Sequence, residues 1–399
     1  MKYGILPQKD LSGCNSFPFV ATHTRIVKPH DLAYSEGHMP PQQKKFLHLL
    51  LLSGAEYDAL KKLRAAFASY EDVWRASASA LQTAGLGEER ILAITDMREK
   101  LAPDDEMRKL VAAGIALVAL EDPEYPADLR HLAQAPFGLY IKGRMSQKPR
   151  IAVVGTRKAT SYGREAVKKV IADLARAADI AIVSGLAQGI DAQAHRSALD
   201  ERLETIGVIG SGMDRASFFP PENYGLAEEI VAKGGAVISE YPPGAPGLKH
   251  HFPARNRIIA GLAAGTLVAE APEKSGALIT ANFALEQGRE VFAIPGPLFS
   301  PTSTGVHRLI QNGAKLVSSA DDILNEVDIP RREAPIAAAA VLTDATERTI
   351  VELLREPQSV DDIKLATQLP TPDIITCISV LELKGLIRPM GQNRYQRVL

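Results

Sequence analysis

Residues 151–185 read IAVVGTRKATSYGREAVKKVIADLARAADIAIVSG, and this stretch decides the fold of the chain. Two short apolar runs, at 151–154 and 180–183, flank a longer segment in which apolar residues recur at helical spacing. A buried strand, a crossover helix and a second buried strand form a βαβ unit, in which the two strands lie parallel. The stretch therefore predicts a parallel sheet that is covered by helices.

The same alternation extends in both directions, over residues 115–318. Further strand-like runs read IALVAL, GLYIKG, IGVIG, AVISE, TLVAEA, EVFAIPG and KLVSS, and helical patterns separate most of them. This predicts an α/β fold with a Rossmann-like, mainly parallel sheet and helices on both faces, in a domain that spans residues 111–327. Ligands of such sheets bind beyond the carboxyl ends of the strands.

The residues before this domain divide into two parts. Residues 1–43 have no sustained periodicity, and we expect a poorly ordered lead-in. Residues 44–110 have apolar positions at three- and four-residue spacing, which predicts a small all-α module of the sterile-alpha-motif or helix-hairpin-helix type. A helix-hairpin-helix holds a DNA phosphate through backbone N–H groups. Because the first turn, at 53–56, reads SGAE without the usual Gly-x-Gly, plain helix packing or protein contact stays open.

The residues after the central domain predict a linker and a third unit. Residues 328–343 are rich in Pro, Ala and charge, as in a linker. Residues 344–399 contain three helical patterns and a hairpin with a Gly-Gln-Asn turn, which is the winged-helix plan. The third helix has Lys384 as its only cation, beside Asp373 and Glu382, so we expect protein contact or weak DNA contact from this unit.

Composition restricts the possible functions. The 399 residues have a net charge of −1, so binding of a polyanion requires a local basic patch. The two cysteines, Cys14 and Cys377, are far apart, which gives no disulfide framework and no cysteine-based zinc site. The sequence has neither a secretory signal pattern nor an apolar run as long as a membrane span. We therefore expect a cytoplasmic protein with no membrane segment, metal or cofactor.

A local basic patch occurs in residues 248–270, LKHHFPARNRIIAGLAAGTLVAE, directly before an apolar segment and a strand-like run. Cations that meet phosphates and an aromatic ring that stacks on a base make a site for single-stranded nucleic acid. A solvated basic loop is the alternative, and Arg255 or Arg257 could instead pair with Asp191 or Glu240. The candidate residues of this patch are Lys249, His250, His251, Phe252, Arg255, Asn256 and Arg257.

Two glycine-containing turns between a strand and a helix add candidate backbone donors. Free N–H groups at a helix start suit a phosphate, whereas neither turn has the G-x-G-x-x-G pattern of dinucleotide sites or a Walker lysine. An ordinary turn with surface cations is the alternative reading. Helices that begin at Ser161, Ile190 and Gly276 are all expected at the same edge of the sheet. The candidates in the two turns are Gly155, Thr156, Arg157 and Lys158, and Ser184, Gly185, Gln188 and Gly189.

Other polar and aromatic residues near these turns favour structural roles. Asp191 lies in a first helical turn, where an acid is stabilised by the helix dipole. His195 is expected to serve packing, and Phe218 and Phe219 to anchor the core. No paired carboxylates and no nucleophile–histidine set occur on the turns, so we do not expect an enzyme.

The motifs VGTRKATSYG, SGLAQGIDAQAH, KHHFPARNRIIAGLA and SGALITANFALEQGREVFAIPG, in this order, resemble those of the DNA-processing protein A family. The resemblance implies a protein that binds single-stranded DNA, protects it from nucleases and loads the RecA recombinase in natural transformation. It also implies a homodimer formed through the central domain. By their place in the motifs, Arg157, Lys249 and Phe252 would contact DNA, and Arg289 would supply a further cation.

Two other functions remain as alternatives. Rossmann-type nucleotide phosphoribohydrolases resemble this sheet, but their P-G-G-x-G-T turn corresponds here to SGALIT at residues 275–280, which lacks two of the glycines. A scaffold whose terminal units do the work would leave the sheet inert, which the basic-aromatic patch argues against.

Overall fold

The computed structural model of the chain describes residues 39–332, 345–383, 386–391 and 393–398. Most of the predicted lead-in, residues 1–38, and most of the predicted linker, residues 333–343, lie outside these ranges. No helix within the described ranges is long and apolar enough to cross a lipid bilayer.

The first described region is entirely helical, as predicted. Its turns include Gly54 and Gly85, with φ of +78° and +86°, a backbone conformation that glycine adopts without strain. Leu47, Leu50 and Leu63 are fully buried in its core. The helices are α1 (Pro41–Leu52), α2 (Tyr57–Ala66), α3 (Tyr70–Arg75), α4 (Ala78–Thr83), α5 (Glu88–Lys100) and α6 (Pro103–Ala112).

Nine strands form one sheet in the described part of the central region. They are β1 (Ile115–Ala119), β2 (Gly138–Gly143), β3 (Arg150–Val154), β4 (Ala181–Ser184), β5 (Glu204–Ile209), β6 (Ala236–Ser239), β7 (Gly265–Val268), β8 (Glu290–Ala293) and β9 (Lys315–Leu316). Their order is β1-β2-β6-β5-β4-β3-β7-β8-β9. The pairs from β6 to β9 are parallel, and β1 and β2 add an antiparallel edge. The prediction of a mainly parallel sheet is confirmed.

Helices cover both faces of this sheet, because successive side chains of a strand point to opposite sides. Ile151 and Val153 pack in a core with the apolar side of α8, whereas Ala152 and Val154 pack in a second core with Ile258. The helices are α7 (Ala127–Arg130), α8 (Ser161–Ala177), α9 (Ile190–Asp200), α10 (Tyr224–Ala232), α11 (His251–Gly261), α12 (Gly276–Glu286), α13 (Thr304–Gln311) and α14 (Ala320–Leu324).

The helix starts gather at one edge of the sheet. Helices α8, α9 and α12 follow β3, β4 and β7, and these three strands are adjacent and parallel. Their carboxyl ends therefore meet at the same edge, as the sequence predicts. This edge is where the candidate turns lie.

The C-terminal region has the predicted winged-helix plan. Its elements are α15 (Ala345–Leu353), β10 (Gln358–Ser359), α16 (Val360–Thr367), α17 (Thr371–Leu383), β11 (Ile387–Gly391) and β12 (Arg394–Arg397). Strands β11 and β12 form an antiparallel hairpin, with Gly391 and Asn393 at positive φ in its turn. Ile350, Ile363 and Leu381 form the core of the unit. Lys384 lies outside the described residues.

The first residues of the predicted linker pack on the central region. Ile329 is buried, and Arg332 donates from its backbone to the carbonyl of Ala177 and from its side chain to that of Ala175. An apolar residue and an arginine with two carbonyl partners hold this segment on α8, although its composition is typical of a linker. The proposed domain boundaries themselves stay a prediction.

Candidate nucleic-acid interface

The turn after β3 places two cations in solvent at the carboxyl edge of the sheet. Arg157 and Lys158 are both exposed. Thr156 is nearly buried, and its backbone N–H donates to the carbonyl of Glu270 at 2.8 Å. Its own carbonyl accepts from the N–H of Ile190 at 3.1 Å. The backbone around Arg157 is thereby fixed while its side chain remains free to meet a ligand.

The turn after β4 packs tightly against the turn after β3. Gly189 has φ of +81°, and a Cβ there would lie 2.3 Å from the carbonyl oxygen of Thr156. Gly185 is buried, while Gln188 is exposed. Ser184 is a correction to the sequence reading, because its hydroxyl is fully buried and donates to the carbonyl of Val153 at 2.6 Å. Its role is to join two strands.

A buried carboxylate, Asp191, and a buried guanidinium, Arg255, lie beneath these turns. Asp191 accepts from the N–H of Gly185 at 3.1 Å, which gives this acid the structural role expected for it. Arg255 is 5% exposed and donates to the carbonyls of Gly185, at 2.6 Å, and Val208. Burial lowers the pKa of Arg255 to about 10 and Asp191 opposes this shift, so the guanidinium stays charged at neutral pH. Burial raises the pKa of Asp191, and Arg255 opposes that shift.

Three side chains converge beside Arg255. Phe252, in the first turn of α11, lies with its ring centroid 5.6 Å from the guanidinium carbon of Arg157. The ring of Phe219 also contacts that of Phe252, with centroids 5.2 Å apart and planes inclined by 45°. An arginine beside aromatic faces is the arrangement on which a nucleobase stacks while its phosphate is neutralised.

These side chains line a pocket of about 210 Å³, which we call the Phe252 cleft. It is smaller than the roughly 300–1,000 Å³ of pockets that enclose a drug-sized ligand, so it suits one flat group. Arg255 lies at its wall, and Glu222 adds a carboxylate. The lining residues are Arg157, Gly185, Ala187, Gln188, Phe219, Pro220, Pro221, Glu222, Phe252 and Arg255.

Phe219 is the main residue that sequence reasoning misplaced. Phe218 is buried as expected, but Phe219 is 40% exposed and contacts Phe252. Two adjacent phenylalanines point in different directions, so at most one of them fits the same core. The following Pro220 and Pro221, which also line the cleft, were the available signal that the chain turns outward there.

Two of the candidate residues on α11 have partners inside the protein. Arg257 is 6% exposed, and its guanidinium contacts Glu240 at 2.7 Å and donates to the carbonyl of Gln134 at 2.9 Å. Glu240 is the leading cause that raises the pKa of Arg257 against the opposing effect of burial. Asn256 donates to the carbonyl of Gly276 at 3.2 Å. Neither side chain lines the Phe252 cleft, and the contact of Arg257 with Glu240 is one of the pairings that the sequence left open.

The remaining residues of the patch lie at the start of α11. Lys249 is exposed in the turn that precedes the helix, three residues before Phe252 in the sequence. His251 is 4% exposed, and its ring stacks on that of Tyr241 at 3.8 Å. Lys249 therefore stays a predicted phosphate contact, whereas His251 lies 3.7 Å from Glu56 of the helical module.

Arg289 lies at the opposite edge of the sheet. It directly precedes β8, and its guanidinium is 3.9 Å from Asp128, which also contacts Arg150 at the start of β3. Arg157 follows the end of β3, so about 15 Å of strand, at roughly 3.3 Å per residue, separates the two edges. The structure does not bring Arg289 to the Phe252 cleft, because it precedes a parallel strand instead of following one.

A larger cavity of about 930 Å³ lies between the helical module and the sheet. Four carboxylates line it, from Glu56, Asp58, Glu89 and Glu240, against the cations of Arg90 and Arg257. Carboxylates repel a phosphate, so the smaller Phe252 cleft is the better candidate for nucleic acid.

Two protein-family models match this chain. The family model described as DNA recombination-mediator protein A matches residues 116–328, and that of the DprA winged helix domain matches residues 333–393. The first of these ranges contains the sheet and both glycine turns, and the second contains most of the C-terminal unit.

Individual relatives match over long ranges. The DNA processing protein DprA of Streptococcus pneumoniae is 48% identical over 209 residues, which cover 52% of this chain and 72% of that protein. Protein Smf of Synechocystis is 33% identical over 379 residues, covering 85% of this chain and 94% of that protein. The X-ray structure of DprA from S. pneumoniae aligns with a TM-score of 0.60 at 38% identity, covering 72% of this chain and 99% of that one. The chain therefore belongs to the DNA recombination-mediator protein A family.

Proposed function

We propose that the chain binds single-stranded DNA, without sequence preference, in the Phe252 cleft, protects it and hands it to the RecA recombinase. The observation that supports this most is the convergence of Arg157, Phe252 and Phe219 at the carboxyl edge of the sheet. A cation and two aromatic faces, of which Phe219 is 40% exposed, suit a nucleotide whose base is unstacked, and a duplex does not present one.

Phosphate binding is assigned to cations that remain in solvent. Arg157, Lys158 and Lys249 are exposed, and helices α8 and α9 begin beside Arg157 with their N–H groups toward the same edge. The partial positive charge of a helix N-terminus adds to these side chains. Because the net charge of the chain is −1, this local group must supply the attraction.

Base stacking is assigned to Phe252, supported by Phe219. Stacking does not discriminate between bases, which is why we propose binding without sequence preference. Arg255 adds positive potential from beneath the cleft, although its hydrogen bonds to Gly185 and Val208 hold it in place.

The later steps of the proposed function rest on the family resemblance. They are protection of incoming DNA in natural transformation, loading of RecA, and assembly of a homodimer through the central domain. We further propose a cytoplasmic setting and no catalytic activity, with residues 44–110, 111–327 and 344–399 as separate domains. Release of a free base from a nucleoside monophosphate would instead favour the phosphoribohydrolase alternative.

The test is fluorescence anisotropy with labelled oligo-dT and with a duplex of equal length, at several salt concentrations. We expect preference for the single strand. Arg157→Ala and Lys249→Ala should each weaken binding and reduce the slope of log K against log salt by about 0.7, since each removes one phosphate contact. Phe252→Ala should weaken binding by about 1–3 kcal/mol, roughly 5–150-fold, at an unchanged slope, because stacking releases no counterions.

Arg289→Ala is the matched control, since it removes the same charge from the opposite edge. It should bind like the wild type. Equal affinity for duplex, or an equal loss in Arg289→Ala and Arg157→Ala, would contradict the assignment to the Phe252 cleft.

A further inference from the structure

Three side chains of metal-binding type meet where the helical module contacts the sheet domain. Glu56 is the residue that precedes α2, while His250 and His251 open α11 nearly two hundred positions later. Glu56 Oε1 lies 3.3 Å from His250 Nε2 and 3.7 Å from His251 Nε2. The ligand atoms of all three lie within 4.8 Å of one another.

These distances match the spacing of ligand atoms around a shared metal ion. His250 and Glu56 form a long hydrogen bond at 3.3 Å, and the 3.7 Å between His251 and Glu56 exceeds the roughly 2.7–3.2 Å of an N–H···O hydrogen bond. Tetrahedral zinc, with bonds of about 2.0–2.2 Å to nitrogen and oxygen, spaces its ligand atoms by about 3.4 Å. Two imidazole nitrogens that point to one carboxylate oxygen at this spacing leave room for an ion between them.

The least mobile of the three ligands is already held in position. His251 is 4% exposed and is stacked on Tyr241, with ring planes 18° apart. Its buried Nδ1 has no hydrogen-bond partner among the described residues, while its Nε2 lies 3.7 Å from Glu56 Oε1.

The other two ligands can adjust. The side chains of Glu56 and His250 are 56% and 62% exposed, so small rotations bring their atoms onto an ion that arrives from solvent. Two imidazoles and one carboxylate form the His₂Glu set that zinc accepts, with water in the fourth position. Both helices present their positive N-terminal ends here, so the carboxylate of Glu56 is needed to compensate charge.

We propose that Glu56, His250 and His251 bind one transition-metal dication of the Zn²⁺ type. The ion ties the start of α2 to the start of α11 and so fixes the helical module against the sheet domain. The sequence led us to expect no metal, because its two cysteines give no zinc site. A glutamate that meets two histidines nearly two hundred positions away is visible only in the tertiary structure.

The experiment uses the full chain, stripped of metal with a chelator. Zn²⁺ binding is measured by calorimetry, and Co²⁺ binding by the visible absorption of a tetrahedral cobalt site. We expect one ion per chain in the wild type. Glu56→Gln and His250→Gln should each weaken binding by at least 10–100-fold, on the order of the loss seen when a metal site is perturbed. Zn²⁺ should raise the melting temperature of the wild type but not of these variants.

Glu89→Gln is the matched control, because Glu89 lines the same cavity outside the cluster. It should bind the metal like the wild type. Residues 1–38 contain His23, His30 and His38, so metal uptake alone does not support the proposal. Absence of binding by the wild type, or equal binding by Glu56→Gln, His250→Gln and Glu89→Gln, would overturn it.

Discussion

Replacement of Arg257 by Met separates a structural role from a DNA-binding role for this residue. Its side chain is 7% exposed and lies 2.7 Å from Glu240, which is 14% exposed. It also donates to the carbonyls of Gln134 and Ala254, each at 2.9 Å. Methionine matches the length of the arginine stem but removes the charge and these donors. Glu240 then remains largely buried without its cation.

The expected loss follows from the burial of the pair. Removing one partner of a buried ion pair costs about 3–5 kcal/mol, because the other charge remains desolvated. For a domain of this size, 1 kcal/mol corresponds to roughly 2–4 °C in melting temperature, so we expect a decrease of about 6–20 °C. The double variant Arg257→Met with Glu240→Gln should recover about half, since it removes the unpaired charge but not the two unsatisfied carbonyls.

The assay is calorimetric unfolding together with oligo-dT binding measured below the melting transition. Lys249→Met is the control, because it removes an exposed cation a short distance along the same segment. It should leave the melting temperature within about 1–2 °C, as surface substitutions usually do. If Arg257→Met kept its melting temperature and lost DNA affinity, the structural assignment of Arg257 would be refuted.

Two further predictions concern a turn and a buried histidine. Gly189→Ala should lower the melting temperature by several degrees, because the backbone there has φ of +81° and an added Cβ would lie 2.3 Å from the carbonyl oxygen of Thr156. Gly276→Ala is the control and should leave the melting temperature unchanged, because an added Cβ there meets open space. Burial lowers the pKa of His195 to about 3, below the unfolded value near 6.5. The unfolded state therefore takes up the proton first, and stability should fall below pH 6.5 by about 1.4 kcal/mol per unit. His195→Gln should make the free energy of unfolding less dependent on pH. Replacement of the exposed His131 by Gln is the control and should leave this dependence as in the wild type. An equal effect of the two substitutions would contradict the role assigned to burial of His195.

The order of strands and helices was determined by local sequence. Apolar runs such as 151–154 bury on both sides, and amphipathic segments such as 161–177 present one apolar face, so each predicts its own element. Strand and helix alternation then fixed the position of the candidate turns, because a turn that follows a parallel strand lies at its carboxyl end. The sequence alone therefore placed Gly155, Arg157, Gly185 and Gly189 at one edge.

Only the tertiary structure decided which of the candidate side chains face solvent. Arg157 and Arg257 are the same residue type, but Glu240 and the carbonyl of Gln134, 123 positions away, make burial of Arg257 tolerable. Burial of a charge depends on partners that distant segments supply, and a local pattern carries no information about them. For the same reason Phe219 points outward beside Phe252, and Glu56 meets His250 and His251.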